Sequence, residues 1–89
     1  IMRIKDGFVM REMCGEYIVT GESMEYVDFN KMLNLNATAA YLWKEVAHKD
    51  FDLHTLTDLL VRKYEVSEEQ AAADAAHLCQ TWKEAGVLE

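Results

Sequence analysis

Three histidines and two cysteines are the side chains of this sequence best suited to bind a metal: His48, His54, His77, Cys14 and Cys79. Zinc sites draw on imidazole and thiolate, usually from closely spaced pairs such as CxxC or HxxxH. The chain contains neither pair, and His77 and Cys79, two residues apart, point to different faces of a predicted helix. The spacing therefore predicts no metal site, and we expect His48 and His54 to face solvent at helix ends.

Nucleophilic catalysis would require a serine or cysteine activated by a base, by a cationic neighbour or by a helix N-terminus. Neither cysteine has such a setting, and the four glycines form no phosphate-binding loop. Glu68 and Glu69 begin a predicted helix, where they complement its dipole rather than form a catalytic pair. We therefore expect no catalytic residue and no cofactor. A small enzyme or cofactor binder stays an alternative, which a ligand bound to purified material would reveal.

The charge balance restricts the class of partner. The 89 residues include 9 Lys and Arg against 16 Asp and Glu, a net charge of −7. Such a field repels polyanions, whereas proteins that bind DNA gain most of their non-specific affinity from cations. No apolar run is long enough to cross a bilayer, and no signal peptide is recognisable. These observations predict a cytoplasmic protein that binds neither nucleic acid nor membrane.

The first third of the chain has the pattern of β-strands. Phe8 to Met13 and Glu16 to Thr20 are β-rich runs separated by Cys14-Gly15, which predicts a hairpin. From Val27 to Leu35 apolar and polar residues alternate, with Lys31 the exception, as expected for a third strand with one buried face.

The remainder has the period of helices. Asn36, Asp52 and Ser67 are predicted N-caps of three helices. The buried stripes of these helices are predicted to be Ala39, Leu42, Trp43 and Val46, then Leu53, Leu56, Leu59, Leu60 and Tyr64, and finally Ala71, Ala75, Leu78, Trp82 and Ala85. Gly86 follows the third helix at the position that favours a left-handed residue, and Val87-Leu88 are expected to fold back onto the core.

Strands followed by helices predict an α+β fold, and the length predicts one domain spanning residues 1–89. A three-stranded antiparallel sheet followed by three helices has a winged helix-turn-helix-like layout. A winged-helix DNA-binding transcription regulator is therefore the alternative function. Its reading helix should expose base-contacting side chains, yet residues 68–79 supply Glu68, Glu69 and Asp74, with Gln70 as the one candidate reader.

A possible peptide-binding surface is the small-residue face of the third helix, from Ala71 to Ala76, beside an edge strand at residues 29–35. An edge strand carries unpaired backbone groups to which a peptide can add as another strand. The alternative is that these alanines only favour the helix and allow close packing. The sequence pattern leaves both interpretations open.

The segment from Lys31 to Trp43 resembles the strand-to-helix junction of the PqqD family, in which an LN-x-TA motif is typical. Leu35, Asn36, Thr38 and Ala39 match that motif. The opening strand, the glycine-centred hairpin and the final helix ending at Leu88 follow in the same order, so that the resemblance covers nearly the whole chain.

The resemblance implies a winged-helix-like peptide chaperone, the recognition element of ribosomally made and post-translationally modified peptides (RiPPs). Such a domain holds the leader of a precursor peptide as an added strand and presents it to a radical S-adenosylmethionine (radical SAM) enzyme. The positions implied to bind the peptide lie on the third strand and the third helix: Phe29, Asn30, Lys31, Met32, Leu33, Asn34, Ala72, Ala75, Ala76 and Cys79.

The family resemblance leaves the precursor peptide and the final product open, because similar proteins accompany many peptide-modifying systems besides pyrroloquinoline quinone synthesis. The net charge of −7 predicts basic residues in the peptide or in the partner enzyme. A homodimer through the same edge strand is also possible and would compete with the peptide.

Overall fold

The computed structural model describes residues 1–22 and 32–89. In these two ranges three strands precede three helices, as predicted. The elements in chain order are β1 (Phe8–Met13), β2 (Glu16–Gly21), β3 (Leu33–Leu35), α1 (Ala37–Val46), α2 (Leu53–Lys63) and α3 (Glu68–Glu84). The strands form one antiparallel sheet in the order β1-β2-β3, which places β1 and β3 at its two edges.

The predicted hairpin joins β1 to β2 through a loop of two residues. Cys14 and Gly15 both have positive φ angles, 54° and 79°, as the twist-matched type I′ turn requires. Met13 lies opposite Glu16 at the end of the ladder. Glycine adopts this backbone without strain, whereas Cys14 is an uncommon residue there.

The third strand pairs with β2 through Leu33 to Leu35. Leu33 and Leu35 lie opposite Val19 and Tyr17, on the sheet face that packs against the core, which confirms the predicted alternation over this part. The rest of the predicted strand, residues 27–31, lies outside the described residues.

All three predicted N-caps are confirmed. Asn36 Oδ1 accepts from the N–H of Ala39 at 2.8 Å, and Ser67 Oγ accepts from the N–H of Gln70 at 3.0 Å. At α2, Asp52 and Thr55 form a reciprocal capping box. Each cap satisfies an N–H that has no partner within its helix, so these side chains set where the helices begin.

The core lies between the sheet and the helices and is centred on Trp82, which is 0% exposed. Its ring meets those of Trp43 and Phe51 edge to face, with centroids 5.3 and 6.4 Å away. The predicted stripe of α1 is buried throughout, and Leu56 and Leu60 bury the corresponding side of α2. Leu53, predicted to be buried, is instead exposed at the first residue of α2.

The end of α3 is closed by a Schellman motif at Gly86, whose φ angle is 78°. The N–H of Val87 donates to the carbonyl of Trp82 at 3.2 Å, and that of Gly86 donates to Lys83 at 3.1 Å. Val87 is consequently buried in the core, as predicted.

The N-terminal segment makes two contacts that the sequence pattern did not predict. Met2 forms an antiparallel bridge with Phe51, and Ile4 forms one with Leu88. Single bridges of this kind leave no hydrophobic period to detect, because periodicity needs several residues. They hold both ends of the chain against the core.

None of the helices in the described part of the chain combines the length and the hydropathy that a membrane span would need.

Candidate functional site

The hairpin determines which backbone groups of β2 point toward β1. Residues that flank a two-residue loop form a hydrogen-bonded pair, and such pairs alternate with non-bonded pairs along an antiparallel ladder. Met13 and Glu16 flank the loop, so Glu16 and Ile18 direct their backbone groups toward β1. The N–H of Glu22 donates to the carbonyl of Gly7 at 2.6 Å and continues this series.

The intervening residues of β2 therefore direct their backbone groups toward β3. Tyr17 pairs with Leu35 and Val19 pairs with Leu33, so these two leucines are the hydrogen-bonded positions of β3. Asn34 lies between them and directs its N–H and C=O away from β2. Among the described residues no strand pairs with the outer edge of β3, so this edge presents the backbone of Asn34 to an additional strand.

An apolar cavity opens beside the start of β3. Its volume is about 210 Å³, and it lies between the first residues of β3 and the end of α3. The lining residues are Phe8, Val19, Met32, Leu33, Glu84, Ala85 and Val87. Apart from Glu84 these side chains are apolar, so the cavity suits an apolar side chain.

A second, more polar cavity follows at the other end of β3. It has a volume of about 320 Å³ and lies between the start of α1 and the middle of α3. The lining residues are Asn36, Thr38, Ala39, Leu42, Leu60, Asp74, His77 and Leu78.

Both cavities lie along α3, one beside the start of β3 and one beside the start of α1, and we call the two together the β3–α3 cleft. The start of β3 lies beside Glu84, whereas Asn36, after the end of β3, lies with Asp74. The strand and the helix therefore run antiparallel along the cleft. An added strand next to Asn34 would lie between them, with alternate side chains directed toward α3.

Both ends of the cleft carry an exposed carboxylate from α3. Asp74 Oδ1 accepts a hydrogen bond from Gln70 Nε2, and Glu84 Oε1 accepts one from Gln80 Nε2, each at 2.9 Å. The donors are neutral amide groups, so they orient the two carboxylates without neutralising their negative charge. In the described part of the chain, neither cavity lining includes a lysine or an arginine. Negative charge therefore predominates in the described lining, which favours a basic ligand.

Three residues of the strand half of the predicted site are described, and they lie at the start of β3 and along it. Met32 is 55% exposed, Leu33 is half-buried in the cleft, and Asn34 is exposed at the edge. Phe29, Asn30 and Lys31 lie outside the described residues.

The helix half of the predicted site lies on the other flank of α3 from the β3–α3 cleft. Ala76 and Cys79 line a separate cavity, together with Met2 and Leu88. Ala72 lies on the same stripe by its i, i+4, i+7 spacing. Around the axis of α3, the buried face separates this stripe from Leu78 and Ala85.

Ala75, the remaining helix residue of the predicted site, is 0% exposed and belongs to the core cluster. Its small side chain allows close packing under α3, which is the alternative that the sequence left open. It cannot contact a peptide in this conformation.

Cys79 is half-buried in its separate cavity, and burial raises the pKa of its thiol above the ordinary value. The other cysteine, Cys14, is exposed in the hairpin loop. Within residues 1–22 and 32–89, no three metal-binding side chains come together.

The helix residues that do line the cleft were missed by the sequence interpretation: Asp74, His77, Leu78, Glu84 and Ala85. The spacing of these residues could have indicated this wall of the cleft, because Asp74, Leu78 and Ala85 lie on one helical i, i+4, i+11 stripe adjacent to the core. The sequence interpretation favoured the alanine-rich stripe, which lies on the opposite flank of α3.

The family model described as "Coenzyme PQQ synthesis protein D (PqqD)" matches residues 16–88. A comparison with curated proteins finds no match.

Two solved structures have the same fold. The structure described as "TbiB1 in Complex with the TbiA(beta) Leader Peptide" has a TM-score of 0.75 at 15% identity, covering 98% of this chain and 94% of the other. The structure described as "Lasso peptide synthetase B1 complexed with the leader peptide" has a TM-score of 0.73 at 19% identity, covering 99% and 96%. The family match extends from β2 to the residues after α3, so the chain belongs to the PqqD family.

Proposed function

We propose that this protein binds the leader of a ribosomally made precursor peptide as a fourth strand next to β3. It then presents the rest of the peptide to a modifying enzyme of the radical SAM type. The protein itself supplies binding and orientation rather than catalysis, and both steps take place in the cytoplasm.

The observation that carries the proposal is the outward backbone of Asn34 beside a cleft. Strand addition needs a free edge for the main chain and cavities for alternate side chains, and this edge provides both. The similar solved structures, both complexes with leader peptides, support the choice of ligand.

The cleft also indicates the chemistry of the peptide. Asp74 and Glu84 are ten residues apart on α3, which corresponds to about 15 Å along a helix. An extended strand advances about 3.4 Å per residue and returns to the same face every second residue. Two basic side chains about four residues apart would therefore meet both carboxylates. A large apolar side chain near one of them would fill the cavity beside Leu33.

The alternative of a DNA-binding regulator receives no support from α3. Its first turn exposes Glu68 and Glu69, and the next exposed acidic residue is Asp74. A reading helix with these charges would repel the phosphate backbone.

Isothermal titration with the short precursor peptide encoded nearest the gene of this protein tests the proposal. We expect a Kd of about 1 μM or lower, equivalent to roughly −8 kcal/mol. Asn34→Pro removes the outward N–H and should abolish binding, while the fold is retained because proline is tolerated at an edge position whose N–H faces solvent.

The matched control is Glu12→Pro on the opposite edge of the sheet. Glu12 pairs with Tyr17 at a non-bonded position, so its backbone also points away from β2. This variant should bind the peptide like the wild type. Undiminished binding by Asn34→Pro, or no binding by the wild type, would contradict the proposal.

A further inference from the structure

The edge strand β1 exposes two large apolar side chains on one face. Val9 is 37% exposed and Met13 is 51% exposed. Met10 lies opposite Val19 and packs with it against the core, so Val9 and Met13 lie on the other face of the sheet. This face of β1 therefore carries two exposed apolar side chains four residues apart.

The backbone of β1 is turned outward at alternate residues. Val9, Arg11 and Met13 are the hydrogen-bonded positions of the hairpin ladder. Met10 and Glu12 therefore direct their N–H and C=O groups away from β2. Within residues 1–22 and 32–89 no strand pairs with this side of β1, so these groups can bond a further strand.

The sequence of β1 is complementary to itself in one antiparallel register. When Arg11 lies opposite Arg11 of a second copy, Val9 lies opposite Met13 of that copy, and Met13 lies opposite its Val9. These are non-hydrogen-bonded pairs, in which cross-strand side chains approach most closely. Met10 and Glu12 then form hydrogen-bonded pairs between the copies, each exchanging both of its main-chain bonds.

The two neighbouring registers fit less well. A register centred on Glu12 places that carboxylate opposite its own copy, and like charges directly opposite each other are destabilising. A register centred on Met10 leaves Met13 beyond the end of the partner strand. In the register centred on Arg11 the two guanidinium groups also meet, but each is balanced within its own chain, because Arg11 Nε donates to Glu22 at 2.8 Å.

From these features we infer that β1 is a self-association surface, at which two copies of the chain join into one continuous antiparallel sheet about a twofold axis at Arg11. The two β3 edges then lie at the opposite ends of that sheet, and both stay accessible to ligands. Each copy carries a net charge of −7, so repulsion keeps the association weak at low salt. The inference does not depend on leader binding.

Sedimentation equilibrium of the full chain at increasing concentration tests the inference. We expect reversible dimers whose dissociation constant falls about twofold or more between about 0.05 M and about 0.5 M salt, because salt screens the repulsion. Met13→Lys should raise the dissociation constant about tenfold, by placing a charge against Val9 of the second copy. Val61→Lys makes the same change in charge at another exposed apolar residue, on α2, and should change the dissociation constant by less than about twofold.

Disulfide formation tests the register. In a Cys14→Asn background, a mixture of Val9→Cys chains and Met13→Cys chains should form an intermolecular disulfide under mild oxidation, because directly opposite residues lie within disulfide reach. Each variant alone should form it at least about fivefold more slowly, since the same residue of the two copies would be about 13 Å apart.

A chain that stays monomeric at every concentration and salt would overturn the inference. So would equal effects of Met13→Lys and Val61→Lys on the dissociation constant. Disulfide formation in the single variants as fast as in the mixture would overturn the register on which the inference rests.

Discussion

The two edges of the sheet offer the same backbone chemistry beside different helices. At β3 the outward backbone of Asn34 lies beside carboxylates of α3, and at β1 that of Met10 lies beside Lys44 of α1. Backbone hydrogen bonds alone would let any extended peptide add to either edge. Under the proposed strand addition, discrimination between peptides therefore depends on the helix that borders each edge, and the carboxylates of α3 favour a basic peptide at β3.

Proline substitutions along β3 should produce the largest change in stability. They distinguish a residue whose N–H faces β2 from a residue whose N–H faces away from it. Leu33→Pro removes an N–H that faces β2 and leaves a carbonyl unpaired, so the free energy of unfolding should fall by about 1–3 kcal/mol. Asn34→Pro should change it much less. Urea denaturation followed by circular dichroism measures both. Equal losses would mean that the alternation at this edge has been assigned incorrectly.

Loss of the N-cap of α1 should affect the cavities at both ends of this helix. The first residues of α1 line the polar cavity beside α3, and its last residues line a cavity beside the start of β1. Asn36→Ala removes the acceptor for the N–H of Ala39 and should cost about 1 kcal/mol of stability. Asn36→Ser retains a capping oxygen and serves as the control. Thermal denaturation gives the comparison; a stable alanine variant would show that the cap contributes little.

Removal of negative charge from α3 should lower the affinity for the peptide at β3 only a few-fold, because exposed ion pairs contribute little to binding. In the double variant Asp74→Asn, Glu84→Gln we expect about a fivefold lower affinity at low salt and a flatter dependence on salt. The control is Glu68→Gln, Glu69→Gln, with the same change in net charge at the start of α3. Titrations at increasing salt distinguish the pairs, and identical behaviour would argue against a basic peptide in the cleft.

Binding of the leader peptide should have no effect on the reactivity of Cys79, because the cavity that Cys79 lines is on the other flank of α3. Saturation with the leader peptide should leave the rate of alkylation of Cys79 unchanged, and the exposed Cys14 provides an internal reference. Cys79 should also react more slowly than Cys14, because burial raises the pKa of its thiol. Protection of Cys79 by the peptide would instead favour the helix positions that the family resemblance implies.

The sequence predicted the elements well because each has a local signal. Asn36, Asp52 and Ser67 cap the helices through oxygens close in sequence to the groups they bind. Cys14-Gly15 marks its turn by the backbone it requires. The order of these elements, together with the motif from Leu35 to Ala39, was sufficient for the fold and the family.

The cleft was predicted only in part because its helix wall depends on rotation about α3. A turn of about 100° per residue decides whether Ala76 or Leu78 faces β3, and composition favours the alanines. The bridges of Met2 and Ile4 were missed for a related reason. They depend on packing between distant segments, which no local pattern records.

Hydrogen exchange at the amide of Asn34, measured by NMR with and without saturating leader peptide, tests strand addition most directly. We predict that the peptide slows exchange at Asn34 by roughly tenfold or more, because its N–H gains a partner there. The amides of Met10 and Glu12 on the opposite edge should be unaffected. Saturated binding with no protection of Asn34, or with protection at Met10 and Glu12 instead, would contradict the account.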